Sequence, residues 1–270
     1  MTAARRPTTR QLRRRFAAGL VDLGSARILE IGAMDAPTFP ERDVRYLDWF
    51  SREELVELHG HNERRRPESI VDVDYVVKRT DFSAEVPERF DLVVANHVLE
   101  HVADPITWLQ QAAAVAAEGG VLFLSLPDRR FTFDYIRPES TFVDLLRAHE
   151  QRLERADFHQ VLSALLYHRP VRAPDFWDGH PEELEKKLSN RRFSVPEAIE
   201  RAKSISRRYS GVHCHVFTRD SFERTIAELE ESRLVPWRLG EIDEVADGNN
   251  EFHVLLRTPD QASPGAVGKA

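Results

Sequence analysis

Residues 27–37 read RILEIGAMDAP, from Arg27 to Pro37. Ile28, Leu29 and Ile31 make a short apolar run that carries one carboxylate, Glu30, and stops at Gly32. Such a run fits a strand buried on both faces, because helices cover each face of a parallel sheet and the chain must turn sharply at the strand's end. Gly32 permits that turn. In an open α/β sheet, ligands bind in the crevice beyond the carboxyl ends of the strands, so this turn is the first candidate binding element.

The same grammar repeats downstream. Val44 to Asp48 (VRYLD) reads as a second strand that also ends on a carboxylate, and Ser51 with Glu53 and Glu54 opens a capped helix. Gly60 to Glu68 is a loop by composition. Ile70 to Val77 reads as a third strand, with Asp72, Asp74 and Asp81 as carboxylates near the ligand edge. Phe90 to Asn96 (FDLVVAN) is the clearest buried strand, and it runs into Asn96, His97, Glu100 and His101. Asp104 and Pro105 start a helix that continues through Ala117 until Glu118, Gly119 and Gly120 stop it, and Val121 to Leu126 is a fifth strand. A helix from Thr218 to Leu229 and strands at Leu234 to Leu239 and Glu251 to Arg257 follow. Strands separated by helices predict an α/β, doubly wound parallel sheet with right-handed crossovers.

Between the fifth strand and the Thr218 helix the pattern changes. Residues 128–215 are too long for an ordinary connection and are expected to form a largely helical cap over the crevice. Residues 1–25 read as an N-terminal helical segment, 26–258 as the main domain, and 259–270 as a disordered tail.

Composition narrows the function classes. A net charge of −7 leaves no basic field for nucleic acid, and 41% apolar residues in 270 support a real core. Arg5, Arg6, Arg10, Arg13, Arg14 and Arg15 cluster at the N-terminus and could touch an acidic polymer or a membrane surface; the helical spacing of Leu12, Phe16, Leu20 and Leu23 favours the solvated face of a helix over Thr9 to Leu20. No run is long enough for a signal core or a membrane span, so a cytoplasmic protein is expected. Cys214 is the only cysteine, which excludes an internal disulfide and a thiolate metal cluster.

Taken together, EIGAMDAP, Asp48, FDLVVANHVLEHVADP and EGGVLFLSLPDRR resemble the class I S-adenosylmethionine-dependent methyltransferases over residues 26–130 and 218–257. The resemblance implies a Rossmann-like sheet, mostly parallel with an antiparallel last strand. It implies S-adenosyl-L-methionine as cofactor, with Glu30, Gly32 and Ala33 at its methionine portion and Asp48, next to Trp49, at the ribose. Asp81 and Phe82 then fall near adenine, and Asn96 and His97 beside the reactive methyl. Met34 and Ala36 stand where that family's turn carries further glycines, which makes the loop bulkier. The G-x-G-x-x-G of NAD enzymes is absent. PDRRFTFDYIRPEST, His213-Cys214-His215 and NNEFHVLLR are similar to bacterial methyltransferases of polysaccharide and glycan biosynthesis. The resemblance thus implies methyl transfer to a hydroxyl of a sugar or polysaccharide precursor, with a methylmannose-type polysaccharide as one acceptor. The competing readings are a lipid or natural-product acceptor and an inactive cofactor-binding partner subunit; the oligomeric state stays open.

Transfer to oxygen needs alignment and a proton acceptor. His101 is the leading candidate base, with Glu100 or Asp128 to orient it. His213 and His215 are the alternative, since residues i and i+2 of an extended segment face the same way, and with Asp128 or Asp134 they could hold a divalent ion such as magnesium. Cys214 would then point the opposite way and be buried. Arg129, Arg130, Arg137 and Glu139, beside Phe131, Phe133 and Tyr135, offer the stacking surfaces and charged partners of a sugar site, although the same aromatics could pin the cap. Trp177 has no assigned role.

Overall fold

β1 (Ile28–Ile31) lies inside the sheet, flanked in parallel by β2 (Val44–Asp48) and β4 (Phe90–Asn96), with Ile31 opposite both Leu47 and Ala95. The computed structural model describes residues 6–19, 21–63 and 65–258. β3 (Tyr75–Val76) pairs outside β2, β5 (Ala116–Pro127) beside β4, and β7 (Glu251–Arg257) runs antiparallel to β5 and to β6 (Arg238–Ile242). The seven-stranded order is β3-β2-β1-β4-β5-β7-β6, so the carboxyl ends of β1, β2, β4 and β5 share one edge. The mostly parallel, doubly wound sheet and its antiparallel last strand are as the sequence implied.

Both sheet faces are buried, which is why β1 is apolar without alternation. Leu29, Ile31, Val93, Leu122 and Leu124 join a core with Ile106, Leu109, Ile226 and Trp237 from α3 (Pro105–Val115), α9 (Arg219–Ser232) and the chain after it. Trp237 is 1% exposed, and its indole N–H donates to Leu109 O at 2.8 Å. Ile28, Leu92, Val94 and Phe123 meet Phe16 and Ala17 of α1 (Thr9–Ala17) on the other face.

Four boundaries differ from the sequence reading. The third strand is only two residues long, because the Asp74 carboxylate takes the Tyr46 N–H at 2.7 Å and supplants a ladder partner. α3 ends at Val115, and the chain enters β5 through a turn with Gly119 at φ +70. β6 starts at Arg238, since Val235 and Trp237 are plugs in the core instead of strand residues. α1 ends at Ala17, and Arg13 is not part of a solvated face: it bonds the buried Glu251 of β7 at 2.6 Å. Arg5, Leu20 and the expected tail over 259–270 lie outside the described residues.

Residues 128–218 carry α4 (Phe142–Glu150), α5 (Phe158–Tyr167), α6 (Ala173–Trp177), α7 (Pro181–Ser189) and α8 (Val195–Ile205). α5 and α8 build a small core of their own, with Val161, Ala202 and Cys214 packed on Ala103. Phe131 stacks on Trp177 at 4.6 Å, Phe133 on His168 at 5.1 Å and Tyr135 on Phe176 at 5.1 Å. The aromatics of 131–135 therefore pin the insertion, and Trp177 adds a bond from its indole N–H to Asn249 O at 2.7 Å. Among the described residues no helix is long and apolar enough to cross a membrane.

Candidate active site

The edge is built around a buried knot. Glu30, with 0% exposure, accepts from Thr38 N at 2.9 and 3.0 Å, from Thr38 Oγ1 at 2.7 Å and from Asn96 Nδ2 at 3.1 Å. Ser125 Oγ in turn donates to Asn96 Oδ1 at 2.8 Å, which ties β1, β4 and β5 together. Burial pushes the Glu30 carboxyl up, against these bonds. Glu30 and Asn96 were expected to face the cofactor; instead their polar atoms are spent on the loop and on each other.

Gly32 has φ +70, and a Cβ there would lie 2.8 Å from Val98 Cγ2. Gly32→Ala is expected to cost about 1–3 kcal/mol, since an L-residue is forced into the left-handed region against a neighbour; thermal melting of the full chain reads this. Met34 takes φ 49 without a glycine's freedom. The reason is a clasp that sequence reading missed: Asp35, 5% exposed, receives Arg65 Nη1 at 2.9 Å and Arg66 N at 3.1 Å, while Val71 N donates to Met34 O at 3.0 Å. An acid in the turn and a charged run thirty residues on were the available signal.

Asp48, at the end of β2, is half-buried. Burial raises its carboxyl pKa, and among the described residues only the backbone N–H groups of Phe50, at 3.0 Å, and Trp49 oppose this. Unlike Glu30, it retains lone pairs for a ligand. Trp49 stacks on Tyr209 of the insertion at 5.0 Å. Four residues beyond Tyr209, His213 meets His101 ring to ring at 4.7 Å, so the insertion reaches from the end of β2 to the end of β4. Phe82 was placed near adenine, but its ring is 2% exposed and packs in the core against Trp108; Asp81 is exposed and pairs with Arg79 at 2.6 Å.

His97 (φ 53) bonds Glu251 through Nε2 at 2.7 Å, and its Nδ1 lies 3.4 Å from Glu100 Oε1. Burial disfavours its charge, yet the bond to Glu251 and the charges of Glu100 and Glu251 hold its pKa above the ordinary value. Glu251 gathers Arg13, His97 and His253, which keep it well below the carboxylate range despite burial. Glu251 was missed, though an acid inside the strand EFHVLLR is a legible signal.

At the β4 turn His101 Nδ1 lies 3.0 Å from Val212 O. A carbonyl only accepts, so Nδ1 carries the proton and Nε2 is bare. Burial lowers the His101 pKa, aided by His213 and opposed by Glu100, which favours this neutral form. His213 Nδ1 lies 2.6 Å from Asp134 Oδ2. Burial would raise the Asp134 carboxyl, but His213 and Arg137 hold it below the usual range, so it stays an acceptor and takes the Nδ1–H of His213. Glu100 is 1% exposed with no hydrogen bond to either oxygen.

Several expected roles are corrected. His213 and His215 do not face the same way, because Cys214 N and His215 N both donate to Glu100 O and break the extended period. His215, 2% exposed, turns to Ala103 O at 3.2 Å, and burial pushes its pKa down to about 4. Asp128 joins neither histidine; it caps the following turn and accepts from Arg130 and from Arg219 N. The set Asp128, His213 and His215 therefore does not assemble, nor does Asp128 orient His101. Cys214 is buried as expected.

Arg137, 3% exposed, is not a substrate arm: it donates to His213 O at 2.7 Å, Cys214 O at 3.2 Å and Asp134 at 3.5 Å. Arg137→Ala would strand the buried Asp134 charge and is expected to cost about 3–5 kcal/mol of stability, read by urea unfolding. Arg129 is engaged by Tyr135 O and Glu139; Arg130 is exposed but chelates Asp128. Tyr135 is 37% exposed, although its ring stacks on Phe176.

A doubly wound sheet with a carboxylate ending β2 and a glycine turn after β1 is the architecture in which open α/β proteins bind ligands at the carboxyl edge. The chain belongs to the methyltransferase-domain family, whose profile matches residues 3–229. Similar curated proteins include a ubiquinone biosynthesis O-methyltransferase of Xanthomonas campestris pv. campestris (strain B100), 44% identical over 63 residues, covering 23% of this chain and 26% of that protein. Another, from Xanthomonas oryzae pv. oryzae (strain PXO99A), is 32% identical over 121 residues, covering 42% and 48%. The matches thus span about a quarter to a half of those relatives. A solved S-adenosylmethionine-dependent methyltransferase from Mesorhizobium loti is 14% identical with a TM-score of 0.45, covering 90% of this chain and 95% of that one.

The edge fits the cofactor. Asp48 offers a carboxylate that can accept two hydrogen bonds from a ribose diol, and it lies beside the Gly32 turn, whose N–H is bonded to Leu47 O of the same strand β2. S-adenosyl-L-methionine held there would supply an electrophilic methyl on a sulfonium.

Proposed function

We propose that the chain methylates a hydroxyl oxygen of a small acceptor held between the β4 turn and the insertion. One observation carries this reading: His101, half-buried and with its pKa lowered by burial, has its Nδ1 proton on Val212 O and its Nε2 3.9 Å from the unbonded Glu100, beside His213. That is the state a proton acceptor for a hydroxyl needs. As the O–C bond forms and the C–S bond breaks, the hydroxyl proton passes to His101 Nε2 and S-adenosylhomocysteine remains. Val212 O and the His213 ring fix the imidazole. The names of the partial relatives, O-methyltransferases, support oxygen as the acceptor atom.

The sugar or polysaccharide acceptor read from the sequence has weaker support, because the cap aromatics stack on one another and Arg129 and Arg137 are bonded within the protein. Labelled cofactor with a panel of mono- and oligosaccharides, phenols, amines and thiols tests the proposal. Label in a hydroxyl compound supports it, with the sugar and phenol arms deciding the acceptor class. Label confined to amines or thiols overturns it.

A further inference from the structure

We propose that Glu100, His101 and His213 form a binding site for a divalent first-row transition ion. Each offers one donor atom, and the three atoms lie within 4.8 Å of one another. Three further observations point to a ligand.

Glu100 is 1% exposed, and neither of its oxygens accepts a hydrogen bond. Burying a carboxylate without such bonds is costly, and ligation is one of the few arrangements that offsets it. His97 Nδ1 comes to 3.4 Å and His101 Nε2 to 3.9 Å of Oε1, but His97 is drawn by its other nitrogen to Glu251.

The outer nitrogens of both histidines are already tied. His101 Nδ1 is on Val212 O at 3.0 Å and His213 Nδ1 on Asp134 at 2.6 Å. A metal-bound imidazole is held in the same way: an acceptor on the far nitrogen fixes the tautomer and leaves the near lone pair for the ion.

The positions are also rigid. Arg137 clamps Asp134, His213 O and Cys214 O, and Cys214 N and His215 N bond Glu100 O. These contacts join the β4 turn to the insertion, so the donors are set before an ion arrives. Two imidazoles and one carboxylate favour manganese, iron, cobalt or zinc over magnesium, which prefers an all-oxygen shell.

The site stands on these residues alone. Its use rests on the proposed O-methyl transfer: with the ion bound, His101 Nε2 is a ligand in place of proton acceptor, and a hydroxyl at an open position of the ion would be acidic enough to lose its proton to water.

The test uses the full chain, stripped with chelator and titrated with Co2+ by visible absorption and with Mn2+ by electron paramagnetic resonance. One ion per chain is expected, with ligand-field bands characteristic of imidazole coordination. Glu100→Gln and His213→Gln are each expected to abolish those bands, and Asp134→Asn to weaken binding by about 10–100-fold. Thermal melts and S-adenosylhomocysteine titration of each variant show whether it folds; should Glu100→Gln not fold, His213→Gln and Asp134→Asn carry the test. The site is overturned if neither ion binds at millimolar concentration, or if binding persists unchanged in folded variants. A chain that binds Co2+ through these residues but methylates no hydroxyl keeps the site and loses the proposed function; one that methylates hydroxyls with no ion bound does the reverse.

Discussion

His101→Ala is expected to reduce turnover by about 100- to 10,000-fold, the range for a positioned group that handles a proton in the transition state. Affinity for S-adenosylhomocysteine is expected to stay at the wild-type value, because His101 bonds Val212 O and faces His213 and Glu100, while Asp48, the acid that would hold the ribose, lies on another strand. The two readouts separate a chemical role from a structural one. A fall in both, with a lowered melting temperature, would make His101 a packing residue; full turnover would move the proton to His213. His215 cannot take the role: it is buried, bonded to Ala103 O and held to a pKa of about 4 by burial.

Asp48→Ala has the complementary profile. Hydrogen bonds to a charged acceptor contribute about 1.5–3 kcal/mol each, so losing two weakens cofactor binding by about 100-fold or more. Asp48→Asn is expected to fall between, since one acceptor oxygen remains. The pH dependence has a definite sign. Burial raises the Asp48 pKa, and only the ionised form accepts both hydroxyl protons. Affinity therefore falls as pH falls, beginning above the range of an ordinary aspartate, and Asp48→Asn flattens that limb. Calorimetric titration of S-adenosylhomocysteine across the acid range measures this.

Local pattern made the sheet readable. β1, β2 and β4 span the residues that the largely apolar runs ILEI, VRYLD and FDLVVAN delimit, because strands inside a covered parallel sheet are rich in apolar residues and end where polar residues and turns begin. The position of Asp48 follows from that rule. What stayed illegible depends on partners distant in sequence. Glu30 resembles a ligand contact until Thr38 and Asn96 are seen to saturate it. Arg137 resembles a substrate arm until the chain returns seventy-six residues later to offer His213 O. His213 and His215 obey a two-residue period only on a regular strand, and two bonds to the single carbonyl of Glu100 abolish that regularity. Glu100 itself lay in the polar cluster noted after β4, but its lack of hydrogen bonds becomes visible only once the insertion has folded over it.

The most direct test of the account titrates S-adenosylhomocysteine calorimetrically into the full chain and into Asp48→Ala. The account predicts one site saturating well below millimolar in the wild type and largely lost in the variant. No heat of binding up to millimolar, or equal affinity in both proteins, would contradict a cofactor lying across the ends of β1, β2 and β4.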